Sequence, residues 1–112
     1  MAAVYVSNIV INQGADFSQV FNLADESNDQ INLTDFVLSA QMRKHAGSST
    51  AIDFTVDISE PRTSGQLIIG LTATQTAAIK SGRYVYDIVI TKDDNKQTVV
   101  EGNVLVREGV TR

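Results

Sequence analysis

Between Gly82 and Arg112 the chain alternates side-chain character along two long stretches. Tyr84, Tyr86, Ile88 and Ile90 fall on one face of an extended chain. Val85, Asp87, Val89 and Thr91 fall on the other, because successive side chains of a strand point to opposite sides. Lys92-Asp93-Asp94-Asn95-Lys96 interrupts the pattern with residues that tight turns favour. Beyond it Thr98, Val100, Gly102, Val104 and Val106 share a face opposite Val99, Glu101, Asn103, Leu105 and Arg107. Two β-branched runs around a polar turn predict a β-hairpin.

Upstream, Val4-Tyr5-Val6 and Ile9-Val10-Ile11 predict one strand interrupted at Ser7-Asn8, and Phe17, Phe21 and Leu23 predict a second. Asp25-Glu26-Ser27-Asn28-Asp29-Gln30 is a polar turn or loop. After Ile31-Asn32-Leu33-Thr34, Leu38, Ala40 and Met42 alternate with Ser39, Gln41 and Arg43, as in a sheet with one wet face. Ile52, Phe54, Val56 and Ile58 alternate most regularly, with Asp53, Thr55 and Asp57 between them. Pro61 and Gly65 bracket a loop, so the single proline stays out of the strands. Gln66 to Leu71 reads as a further strand.

Thr72 to Gly82 is the one helical candidate, with a threonine to cap it, alanines to sustain it and Gly82 to end it. About two turns within Thr74–Lys80 are expected. Seven strands with turn residues between them read as a sandwich or a barrel. The expected fold is a single domain over residues 1–112, a seven-stranded antiparallel β-sandwich of immunoglobulin-like type with one short helical turn. Its predicted core holds Phe21, Leu38, Ala40, Phe54, Val56, Leu67, Ile69, Leu71, Tyr86, Ile88 and Val104.

Composition narrows the function classes. With 112 residues, 43% hydrophobic and 20% charged, the chain can bury a core without staples. It has no cysteine, hence no disulfide framework, thiolate nucleophile or cysteine-based metal site. The first residues have neither a basic leader nor a long apolar run, so neither a secretory signal nor a membrane span is expected there. A formal charge of −4, with Arg43-Lys44 the only adjacent basic pair, argues against nucleic acid as a partner.

Little points to enzyme chemistry. His45 is the sole histidine and sits in a Gly/Ser-rich loop with no serine-nucleophile motif, so a solvated loop residue is expected. The acidic clusters at 25–29 and 93–95 offer oxygen ligands but lack the spacing and trailing glutamate of a calcium loop. Turn-forming carboxylates are the plainer reading, and no cofactor or metal is expected. Sugar binders favour aromatic platforms, yet there is no tryptophan, and Tyr84 and Tyr86 lie on the apolar face of the hairpin. Asp87 lies between Val85 and Val89 on its own face. It is either solvent-facing or paired with a cation, with Arg43, Arg62 and Arg107 as candidates.

One set of segments carries a resemblance. In order they are Gly14-x-Asp16 before an apolar strand, Ile31-Asn32-Leu33-Thr34, Ala40-Gln41-Met42-Arg43 and Gly65-x-Leu67-x-Ile69-x-Leu71. Thr72-x-x-Gln75-Thr76, Gly82-x-Tyr84-x-Tyr86-Asp87-Ile88, Glu101-Gly102-x-Val104-x-Val106 and the closing Val110-Thr111-Arg112 follow. Together they resemble the small β-sandwich domain at the N-terminus of phage baseplate upper proteins and related virion proteins of tailed phages. The resemblance implies a non-enzymatic attachment module of the virion, docking other virion proteins in multiple symmetric copies, with no membrane or small-molecule substrate. In that family a fibre or shaft follows the domain; here the sequence stops at Arg112, which leaves a tail, baseplate or neck adaptor. A head decoration (cement) protein and an immunoglobulin-like ligand-binding or adhesin domain are the alternatives.

An open sandwich leaves strand edges that accept another chain, and the terminal hairpin and N-terminal segment are the candidates. Val4, Tyr5, Val6, Ile9 and Val10 place apolar surface at the chain start. At the other end Arg107, Val110, Thr111 and Arg112 form a mixed polar segment suited to an interface rim. These nine residues are the candidate interface.

Overall fold

The structure is a computed structural model that describes residues 5–24 and 29–110. Its longest elements are the predicted hairpin, β8 (Gly82–Lys92) and β9 (Asn95–Arg107). Lys92 pairs with Asn95, so the loop is only Asp93-Asp94, with φ of 50° and 66°. Positive φ at both central residues is the turn whose twist matches that of a hairpin, and aspartate tolerates it.

Along the hairpin Ile88 pairs with Val100 but Val89 pairs with Thr98, which leaves Val99 as an extra residue. This β-bulge turns both Val99 and Val100 into the core, each fully buried. It also moves Thr98 to the face of Val89, correcting the expected alternation through this strand.

Two sheets pack around a single core. The larger runs β1/β2–β9–β8–β4–β5, with β1 (Tyr5–Val6) and β2 (Ile9–Asn12) both alongside β9, then β4 (Val37–Arg43) and β5 (Ile52–Asp53) beyond β8. The smaller is β3–β7–β6, with β3 (Phe17–Asn22), β7 (Gln66–Leu71) and β6 (Thr55–Ile58).

The expected seven antiparallel strands need two corrections. There are nine strand segments, or eight when β1 and β2 count as one interrupted edge strand. The larger sheet is mixed, because β1 and β2 run parallel to β9. Strands from opposite ends of the chain have no hairpin to set their direction, and the rest of the domain supplies the crossover that parallel pairing requires. The run from Ile52 to Ile58 also divides. Ile52 and Asp53 pair with β4, the Phe54 N–H donates to the Ala40 carbonyl at 3.0 Å, and Thr55–Ile58 pair with β7. Phe54 is thus the corner where one strand changes sheets. Its buried ring packs edge-on to Tyr86 at 6.2 Å and against Phe17 at 6.0 Å.

Of the predicted core, Leu38 and Val56 are only partly buried and the others are buried. The core also takes Ile9, Ile11, Leu23, Leu33, Met42, Ile79, Ile90, Val99, Val100 and Val106. The helical turn is α1 (Ala73–Ala77), set by a capping box. The Thr72 hydroxyl accepts from the Gln75 N–H, and the Gln75 side chain accepts from the Thr72 N–H. It stops at Ala78, so Gly82 does not cap it but opens β8. Among the described residues no helix is long and apolar enough to cross a membrane.

Candidate functional site

The N-terminal edge is built by a local departure from a regular ladder. Ser7 and Gln13 donate their N–H groups to the carbonyls of Glu101 and Arg107, each at 2.9 Å. Ile9 pairs with Val104 and Asn12 with Arg107. That register would bring the Ser7 carbonyl to the Asn103 N–H. Instead the carbonyl turns inward and accepts from the Tyr86 hydroxyl at 2.6 Å. The Asn8 side-chain oxygen takes its place at the Asn103 N–H, 3.0 Å away. Only glycine at 102 permits the turn: a Cβ there would lie 2.1 Å from the Ser7 oxygen. Ser7-Asn8, Tyr86 and Gly102 therefore explain why the first apolar run is two short strands.

In a parallel ladder a residue that bonds its neighbour does so with both its N–H and its C=O, and the next residue points both away. Since Ser7 and Gln13 face β9, the backbone groups of Asn8 and Val10 and the N–H of Asn12 face outward, while the Asn12 carbonyl accepts from the Ala15 N–H at 3.2 Å. All three residues are exposed, and among the described residues β9 is the only strand paired with β2. This is an open sheet edge.

The structure brings part of the candidate interface together and removes part of it. Val6 (76% exposed) and Val10 (49%) stand on the outer face of the larger sheet. Arg107, exposed, pairs with Asn12, so the end of β9 lies beside the end of β2, while Val6 lies further along β9, opposite Glu101. Val110 is fully exposed beyond it. Ile9 is a correction: it alternates with Val10, faces inward and is buried in the core. Val4, Thr111 and Arg112 lie outside the described residues, as does the side chain of Tyr5. The hairpin, expected as a possible accepting edge, is interior to the sheet because β4 and β2 cover its two sides. Leu105 was missed. It sits beside Val10, 40% exposed, and its signal was an apolar residue on the same face as Glu101 and Asn103.

Next to this edge the outer face of the larger sheet forms a trough of ≈ 760 Å³, lined by residues that include Val6, Gln41, Arg43, His45, Asp87 and Glu101. Asp87 and Glu101 are directly paired across β8 and β9. Asp87 is exposed and solvent-facing, yet its partial loss of water, and next the Glu101 charge, raise its carboxyl above the ordinary value, while Arg43 opposes both. Arg43 is engaged elsewhere, donating to the Ser48 carbonyl and to Gln41 Oε1. Arg62, another candidate partner for Asp87, instead donates to the carbonyls of Leu33 and Phe36.

His45 is an exposed loop residue. Among the described residues no group of three or more His, Cys, Asp or Glu could hold a metal. Of the acidic clusters, Asp93-Asp94 makes the hairpin turn and residues 25–28 lie outside the described residues. Tyr86 is buried, and the Tyr84 hydroxyl donates to the Lys80 carbonyl at 2.6 Å with Lys44 over its ring.

Compared by sequence, the chain matches no protein family and no curated protein. Its fold matches solved structures. The N-terminal domain of phage TP901-1 ORF48 superposes with a TM-score of 0.58 at 9% identity, over 90% of this chain and 85% of that one. InlP of Listeria monocytogenes gives 0.54 at 15% identity over 90% of this chain. A DUF4784 family protein from Bacteroides caccae gives 0.50 at 12% over 99%. The chain spans about a quarter of the last two, 26% and 24% of their lengths. At these identities the likeness is one of fold: a two-sheet β-domain of a kind that also occurs in a phage protein.

Proposed function

We propose that this chain is a non-enzymatic structural protein of a phage virion. It acts as an adaptor in the tail, baseplate or neck and holds other virion proteins along its N-terminal edge and the adjoining end of β9. The observation that carries this reading is the edge itself: outward-facing backbone groups at Asn8 and Val10 and the Asn12 N–H, flanked by exposed Val6, Val10 and Leu105. A soluble domain with no partner normally guards such an edge with charge, proline or a covering loop. The fold likeness to a phage domain, over most of that domain's length, supports the same reading.

Residues 2–6 and, separately, 108–112 are deleted, and folding and incorporation into particles are measured. The expected result is a chain that folds in both cases and assembles poorly in at least one. Normal incorporation of both would overturn the proposal.

A further inference from the structure

The two lateral sides of the sandwich differ in charge. On one side the chain passes from β2, at the edge of the larger sheet, through Gln13–Asp16 to β3, at the edge of the smaller. The link is pinned by α1: the buried Thr76 hydroxyl accepts from the Gly14 N–H and donates to the Ala15 carbonyl, and Asp16 accepts from the Ala73 N–H. From Tyr5 to Asn22 the only charged residue is Asp16, in that link. On the other side the chain passes from β5 to β6 through Phe54, and Asp53 and Asp57 stand exposed along it. Carboxylates on an edge strand repel another copy of the same edge, a known guard against pairing.

We propose that the β2 edge binds a second copy of this chain, by antiparallel pairing about a two-fold axis at Val10. This rests on the reading of the chain as a protein that holds its neighbours, and it names one of those neighbours. The choice of occupant follows from charge. Each copy carries −4, so copies repel wherever acidic surfaces meet. The β5/β6 side would set Asp53 and Asp57 against their equivalents. The β2 edge sets no charge against charge and is self-complementary, as a two-fold interface must be.

The register follows from the outward backbone groups. In an antiparallel ladder, residues that face each other with both groups outward exchange two hydrogen bonds. Val10 then exchanges two hydrogen bonds with its own equivalent, and Asn8 lies opposite Asn12 of the second copy, whose N–H can donate to the Asn8 carbonyl while its own carbonyl stays with Ala15. The two larger sheets join into one, and the exposed Val10 side chains come together on its outer face beside Leu105. Cross-strand pairing of β-branched side chains is favourable there.

The chain has no cysteine, so Val10→Cys introduces a unique thiol. Hydrogen-bonded antiparallel pairs hold their Cα atoms about 5.5 Å apart, within the roughly 4.4–6.8 Å that a disulfide spans. Under mild oxidation the Val10→Cys chain is expected to convert mostly to a covalent dimer, while a Thr55→Cys control on β6 stays monomeric. The unmodified chain is expected to show a concentration-dependent dimer in sedimentation velocity. Val10→Lys, folded by circular dichroism, is expected to weaken that dimer at least tenfold. A chain that stays monomeric at high concentration, a dimer indifferent to Val10→Lys, or equal cross-linking at positions 10 and 55 would overturn the inference. None of these decides the adaptor reading, which the deletions test by incorporation into particles.

Discussion

The two faces of β8 meet different demands within one strand. Inward, Tyr86, Ile88 and Ile90 are buried, and Ile88 packs between its partners Ala40 and Val100. Outward, Asp87 lies between Gln41 and Glu101, so two carboxylates sit opposite each other. The inner face is built for folding, with apolar neighbours in register on three strands. The outer face keeps a like-charge pair that a stability optimum would have removed. Residues one position apart are therefore expected to contribute to stability with different magnitude and opposite sign.

The sharpest way to break that contrast is Ile88→Ala. Truncation of a fully buried aliphatic side chain costs about 2–5 kcal/mol, a large part of the ~5–15 kcal/mol that holds a typical domain. Denaturant titration measures it, and a loss below about 1 kcal/mol would place Ile88 outside the core.

Gly102→Ala comes next, with a cost of about 1–3 kcal/mol for overpacking, since its Cβ would collide with the Ser7 carbonyl. Amide exchange should quicken at Ser7 and through β2 while β8 stays protected. Uniform protection would show that the edge strand accommodates the methyl.

Asp87→Asn tests the outer face. Partial burial and then Glu101 raise the folded-state pKa of the exposed Asp87 above its unfolded value, against Arg43. Between those two values the folded chain binds more protons, so stability falls as pH rises through that window and the deficit persists above it. Asp87→Asn is therefore expected to stabilise at neutral pH, by about 0.2–1 kcal/mol, the scale of one cross-strand pair. The gain should vanish near pH 3, below the ordinary carboxylate range of about 4. Destabilisation at neutral pH would mean that the attraction of Arg43 outweighs burial and Glu101. The smallest effect is expected from His45→Ala, within about 0.5 kcal/mol and without loss of assembly. Loss of assembly with the fold intact would return His45 to consideration.

Much of this was legible in the sequence because alternation reports burial directly. Among the described residues every predicted strand region contains strand, and α1 starts on a capping threonine, Thr72, as the sequence allows. What was illegible depends on contacts between distant segments. Val99-Val100 reads as ordinary alternation until the partner strand shows that one residue is extra. The sheet change at Phe54 leaves the period-2 pattern of 52–58 intact. Parallel pairing of the chain start with β9 has no local signal, and the role of Gly102 appears only when the Ser7 carbonyl lies against it. For the candidate site, the apolar excess at the chain start was visible. That Ile9 faces inward while Val10 faces out depends on the direction from which the core is covered.

The central claim is that this protein works by holding neighbours along the β2 edge. A photo-reactive residue placed at position 10, and in a second chain at position 57, is activated in assembled particles and the adducts identified. The account predicts adducts to a second copy or to other virion proteins from position 10 and few or none from position 57. Adducts from position 57 with none from position 10 would contradict it.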